Sequence, residues 1–263
     1  HWSFRPIQKP ETGDTVDFFI KQKLTGKGLD FSPPADAPTL IRRATFDLIG
    51  LPPTAAEVAD FKTAYQKDPE AAFRLLIDRL LESPHYGERW GRHWLDVAGY
   101  ADSEGYNDRD VERVDAWRFR DYVIESFNKD KPWKDFIVEQ LAGDELVKAT
   151  HYTASELANA SDDALEKLTA TGFLRLAPDG TYATTPDAAL AQNQVITETV
   201  KIVSSSLLGL TVGCAECHHH RFDPIPQEDF YRMRAIFAPV YNTEKWLGPR
   251  SRRITKWAPG AKE

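Results

Sequence analysis

Cysteine is nearly missing from this sequence: two occur in 263 residues, and they stand three positions apart. That scarcity excludes a disulfide-stapled domain, which a chain of this length does not need. It points instead to one local piece of chemistry. Long hydrophobic runs are also missing. No apolar stretch approaches the roughly 18 residues that a membrane-spanning helix requires. Basic excess is absent too, because 33 Lys and Arg face 40 Asp and Glu for a net charge of −7. The electrostatic footprint of a nucleic-acid-binding protein is therefore lacking. The chain opens on His1-Trp2-Ser3-Phe4 and not on a Met with a basic segment, so no signal peptide is read there. Such a start suits a mature or excised piece and leaves the compartment of the parent open.

What the chain does contain is enough apolar side chain for a packed core: 41% hydrophobic and 11% aromatic residues. Their spacing is that of amphipathic helices. Thr54-Ala55-Ala56-Glu57 reads as a capping box behind the turn Leu51-Pro52-Pro53. Pro69 leads a helical stripe of Phe73, Leu76, Ile77 and Leu80, and Pro84 opens a helix through Trp90, Trp94 and Val97. Further helices are expected near Val114–Phe127, from Trp133 to Leu141 with a stop at Gly143, over Ala188–Leu208, and from Gln227 to Phe237. The stretch Ala149–Asp163 reads as a surface loop or weak helix, and Pro178-Asp179-Gly180 as a turn between two short extended pieces. The tail 246–263 is basic, punctuated by Pro and Gly, and expected to be irregular. With no internal repeat and no linker, the fold class is mostly α. The expectation is a single irregular helical domain over 1–263, with long loops and the cysteine segment after a long helix.

The chemistry sits in Gly213-Cys214-Ala215-Glu216-Cys217-His218-His219-His220. C-x-x-C-H is the attachment signature of c-type haem. Two thiols three apart at the start of a helical turn reach the two vinyl groups of one porphyrin, and the following imidazole reaches the iron. On this reading Cys214 and Cys217 form thioethers and His218 is the proximal ligand. Two other readings stay open. One is a structural zinc site on Cys214, Cys217 and two of the three histidines. The other is a redox dithiol, although the βαβ context of a thioredoxin-like motif is not in evidence.

The sixth iron position has several candidates. His93 shares a helix face with Trp90 and Val97 and is the preferred distal ligand. Met233, the one methionine, lies among aromatics and reads as core filler. His85, at a Pro-led helix start, reads as a cap or surface residue. His220 can ligate a second metal or meet a haem propionate, and His219 reads as exposed. Arg221 and Arg89, with Arg92 beside it, are candidate partners of the anionic propionates. An oxygen-rich segment, Tyr100 to Asp108, is a candidate calcium loop, without the acidic spacing of an EF-hand; its alternative is a polar loop that caps the next helix.

Several blocks together resemble a known family. They are His1-Trp2-Ser3-Phe4-Arg5-Pro6, Thr45 to Thr54, Ser83 to Trp90, His93-Trp94-Leu95-Asp96, Tyr100-Ala101-Asp102-Ser103, Gln140 to Asp144, Thr171-Gly172-Phe173, Gly209 to Cys214, Cys217-His218 and His220 to Ile225. The chain resembles the planctomycete-type cytochrome C-like domain of large secreted bacterial proteins, and the resemblance covers nearly all of it. It implies a periplasmic or secreted location and a multidomain parent, with a neighbouring haem domain and a large C-terminal domain as partners. His219 departs from the family, which more often has Asp, Asn or Ser there. The resemblance leaves the activity open. Electron transfer through haem c is the first expectation. A haem-dependent redox enzyme acting on carbohydrate-derived or other small substrates is the second, and a zinc-stabilised interaction module is the third.

Overall fold

The computed structural model describes residues 2–9, 12–13, 15–104, 110, 112–147, 159–182 and 187–246. The described residues are mostly helical, and none lies in a strand; Ser103 and Glu112 form an isolated bridge. The chain divides into two compact units, 1–47 with 51–78 and 48–50 with 79–263.

The first unit carries α1 (Val16–Thr25), α2 (Ala37–Ile49), α3 (Ala55–Lys67) and most of α4 (Pro69–Leu81). Its helix starts follow from local chemistry. The Thr54 hydroxyl accepts the Glu57 amide at 3.2 Å, and the Glu57 carboxylate accepts the Thr54 amide at 2.8 Å, completing the expected capping box. Thr15 caps α1 in the same manner through the Phe18 amide. Ala37, Ile41, Ala44, Phe61, Ala72 and Leu76 are its buried apolar residues among those described.

The second unit is built on α5 (Pro84–Ala98), α6 (Ala116–Asn128), α7 (Trp133–Leu146), α8 (Asp162–Ala170), α9 (Ala188–Val203) and α10 (Gln227–Ile236). Helices α5 and α6 approach closely because α5 presents glycine. A Cβ at Gly87 would lie 2.2 Å from the Ile124 carbonyl oxygen. The Gly87 amide donates to Asn128 Oδ1 at 2.7 Å, and Asn128 Nδ2 donates to the Pro84 carbonyl at 3.1 Å. The core then closes around aromatics. Trp94 meets Phe136 edge-on at 5.1 Å and stacks on Phe173 at 5.8 Å, and its indole N–H donates to Gln140 at 2.8 Å. Valines 195, 200 and 203 of α9, with Phe230 of α10, complete the same cluster.

A buried polar group joins α6, α7 and α8. Lys131 donates to Glu139 and to Glu166 (2.8 Å), and the Tyr122 hydroxyl donates to Glu139 (2.8 Å). Burial works against the charge on Lys131, but its hydrogen bonds to the two carboxylates, with their negative charge, outweigh it and its pKa ends above the ordinary value.

Three expectations need correction. Helix α7 does not stop at Gly143: it kinks at Ala142 (φ −147°, ψ 29°) and continues to Leu146. Gly143 is there because α8 crosses it, with the Lys167 carbonyl oxygen 2.1 Å from where a Cβ would stand. The described residues around Pro178-Asp179-Gly180 form no strand; a 3₁₀ turn at Thr171–Arg175 precedes it and another, Gly180–Tyr182, begins at its last residue, while 183–186 lie outside the described residues. The helix over Ala188–Leu208 is α only to Val203, and Ser204–Leu208 is a π turn closed by Gly209 at φ 63°. Helices α1 and α2 carry no sequence expectation; α8, capped by the Ser161 hydroxyl, begins at the end of the stretch read as a surface loop or weak helix and runs beyond it. Most of that stretch and the tail from 247 onward lie outside the described residues.

Candidate functional site

The cysteine segment follows Gly209 as a 3₁₀ turn, Val212–Glu216. Its inward and outward faces are sharply divided. Val212 and Ala215 are buried in the second unit's core, Ala215 completely, while Cys214 and Cys217 are free thiols on the exposed face. The two residues between the cysteines are therefore anchors. Glu216 accepts the Thr197 hydroxyl on its carboxylate at 3.0 Å, and its carbonyl accepts Gln227 Nε2 at 3.0 Å and the Tyr231 hydroxyl at 3.1 Å. Helix α9 thus holds the turn from one side and α10 from the other.

Gly213 has its own reason. The aliphatic chain of Lys201 crosses it so closely that a Cβ would lie 2.5 Å from Lys201 Cγ. The Lys201 ammonium donates to Glu198 at 2.7 Å, and this bond, with the negative charge of Glu198 and Glu216, raises its pKa against some desolvation. The signal for Lys201 was invisible in the sequence, since it lies twelve residues before Gly213 on a separate helix.

The three consecutive histidines do different things. His218 is exposed and points its Nδ1 at the His219 carbonyl, 2.7 Å away. A carbonyl only accepts, so Nδ1 carries the proton and Nε2 is the basic nitrogen. His219 is exposed, as expected, but it also caps α10 by accepting the Gln227 amide on Nδ1 at 3.0 Å. His220 has a nearly buried ring, 5% exposed. Its Nδ1 accepts the amides of Phe222 (3.2 Å) and Asp223 (2.8 Å), and its Nε2 meets the Thr211 hydroxyl at 2.9 Å.

Among the other candidates, Arg221 is exposed and lies over the ring of Phe222 at 5.6 Å, and Phe222 is itself 82% exposed. Arg89 packs its Cδ against Gly50, which needs its φ of 72°, and Arg89 Nε is buried with no hydrogen-bond partner among the described residues. His93 is exposed on α5 and meets Trp90 edge-on at 5.6 Å. His85 pairs with Glu88 at 2.7 Å on the surface, and Met233 is half-buried against the core. In the candidate calcium segment, Tyr100 donates to Asp102 at 2.6 Å, and burial, with that bond, raises the phenol's pKa. Glu104 turns inward to Arg113 at 3.1 Å, so one of the loop's carboxylates is spent on an ion pair. Residues 105–109 of that segment lie outside the described ones.

The residues gathered at the turn fit a covalent tetrapyrrole. Two free cysteines are both exposed, and the adjacent imidazole is oriented by a backbone acceptor with its other nitrogen basic, as metal-bound histidines are held. Among the described residues no three His, Cys, Asp or Glu side chains converge as a metal-ion site, and no helix is long and apolar enough to cross a membrane. No curated protein and no solved structure matches the chain. A family model matches residues 15–242, and on that match the chain belongs to PSCyt2, a family described as protein of unknown function (DUF1549).

Proposed function

We propose that this chain is a haem c protein of the periplasm or cell exterior that passes electrons to or from a neighbouring redox domain. Cys214 and Cys217 hold the haem as thioethers, His218 Nε2 is the proximal iron ligand, and His93 is the distal one. The observation that carries the reading is the hydrogen bond from His218 Nδ1 to the His219 carbonyl. It fixes the tautomer a ligating histidine needs, one residue after a thiol pair that forms no disulfide. When bound, the haem supplies a one-electron couple. The protein's part is to hold the thiols outward on a turn bolted down by Ala215 and Glu216, and to orient the imidazole. Arg221 and Arg89 supply guanidinium groups for propionates. The exposed position of the turn suits exchange with a partner at the surface. A closed zinc site is the poorer reading: it wants three or four converging donors, and the turn offers no such convergence among the described residues.

The test is the chain matured in a compartment with haem-attachment machinery. A Soret band that survives acid–acetone extraction is expected, and its loss in Cys214→Ala/Cys217→Ala. A natively matured chain with no such band defeats the proposal. His93→Ala is expected to turn a low-spin spectrum high-spin and to open the iron to carbon monoxide. An unchanged spectrum removes His93 as a ligand, and prompt carbon monoxide binding by the unmutated chain points to an open, ligand-processing iron.

A further inference from the structure

We infer that His220 is a positioning residue, the clasp that preforms the attachment turn, and that it ligates no metal; the inference deepens the haem reading and rests on it. Both of its ring nitrogens are committed. Nδ1 receives two backbone N–H groups, from Phe222 and Asp223, so it carries no proton. Nε2 then holds the hydrogen and donates to Thr211 Oγ1 at 2.9 Å. The Asp223 carboxylate stands farther off, at 3.5 Å from Nδ1. One ring therefore ties the residue that opens the turn to the backbone that follows it. The His220 amide adds a third tie, donating to the Ile225 carbonyl at 2.9 Å. Everything between Thr211 and Asp223, including both thiols and His218, sits inside this closed loop. The ring is nearly buried while His218 and His219 are exposed, which is where a structural imidazole and a ligating one belong, respectively. Iron binding by His220 would cost one of these bonds, whereas His218 has a nitrogen to give.

The consequence is a turn already shaped before any cofactor arrives, so that attachment does not have to order the loop. Four full-length chains separate the possibilities: wild type, His220→Ala, Thr211→Val and Thr211→Ser. In the cofactor-free chains the Asp223 amide should exchange about tenfold faster in His220→Ala and Thr211→Val, the size of one lost hydrogen bond. Thr211→Ser should match wild type, because it keeps the acceptor. After maturation the first two variants should carry several-fold less haem per folded chain, with absorption bands at wild-type positions. Shifted bands in His220→Ala would make it a ligand and overturn the inference. Unchanged amide exchange, or full haem content despite faster exchange, would overturn it as well. If wild type itself takes up no haem, the proposed function falls, and amide exchange alone decides whether the clasp exists.

Discussion

Single side chains set sharp limits on this molecule. Gly87 is the clearest: its missing Cβ is the space through which α6 passes, 2.2 Å from a backbone oxygen that cannot move alone. Gly87→Ala is expected to lower stability by about 1–3 kcal/mol, the range for overpacking, read as a shift in the urea midpoint with an unchanged slope. Lys131 is the converse case, a charge that is needed. Its removal in Lys131→Met leaves Glu139, 11% exposed, facing a phenol and no cation. A loss of about 3 kcal/mol is expected by chemical denaturation, and Lys131→Met/Glu139→Leu should recover most of it, because an uncompensated buried charge costs more than a missing pair. At the candidate site, sequence reading found Cys214, Cys217 and His218 because their spacing is local. Lys201, Thr197, Gln227 and Tyr231, which hold that turn, escaped it because they come from other helices and no spacing rule connects them.

At the scale of elements, three of the legible helices carry a chemical start signal. The box at Thr54, Pro69 and Ser83-Pro84 each precede a helix that begins where the signal places it. Thr54→Ala should cost about 1 kcal/mol, measured by thermal or urea unfolding followed by circular dichroism, since the Glu57 amide in the first turn of α3 loses its acceptor. Gly143 misled because glycine ends helices more often than it serves a crossing; what decides here is the Lys167 backbone, 24 residues away in sequence and unreadable from local pattern. Helix α8 was hidden because it is only nine residues long and opens at the end of a stretch rich in Ser, Thr and Asn, residues that also suit turns, so its formation rests on packing. The π turn at Ser204–Leu208 likewise follows from tertiary demand, since the serine hydroxyls only back-bond to carbonyls one turn earlier.

For the whole molecule, the mostly α class was legible from periodicity and the absence of alternating patterns, whereas the division into two compact units was not, because no linker composition marks it. The second unit's core is made of side chains from several of its helices, Trp94, Phe119, Phe136, Phe173 and Phe230 among them, which predicts that the haem-free chain is folded and helical. Attachment should then raise the melting temperature, since the group binds the native state, without creating the helical signal. A haem-free chain with a coil-like dichroism spectrum would contradict this. The outward face of the cysteine turn has one more consequence. With only two thiols in 263 residues, both exposed, the chain carries its own occupancy gauge. An alkylating reagent should add two labels per empty chain under native conditions and none once both sulfurs are thioethers, so a mass spectrum of one labelled sample would count empty, half-linked and fully linked molecules without reference to colour.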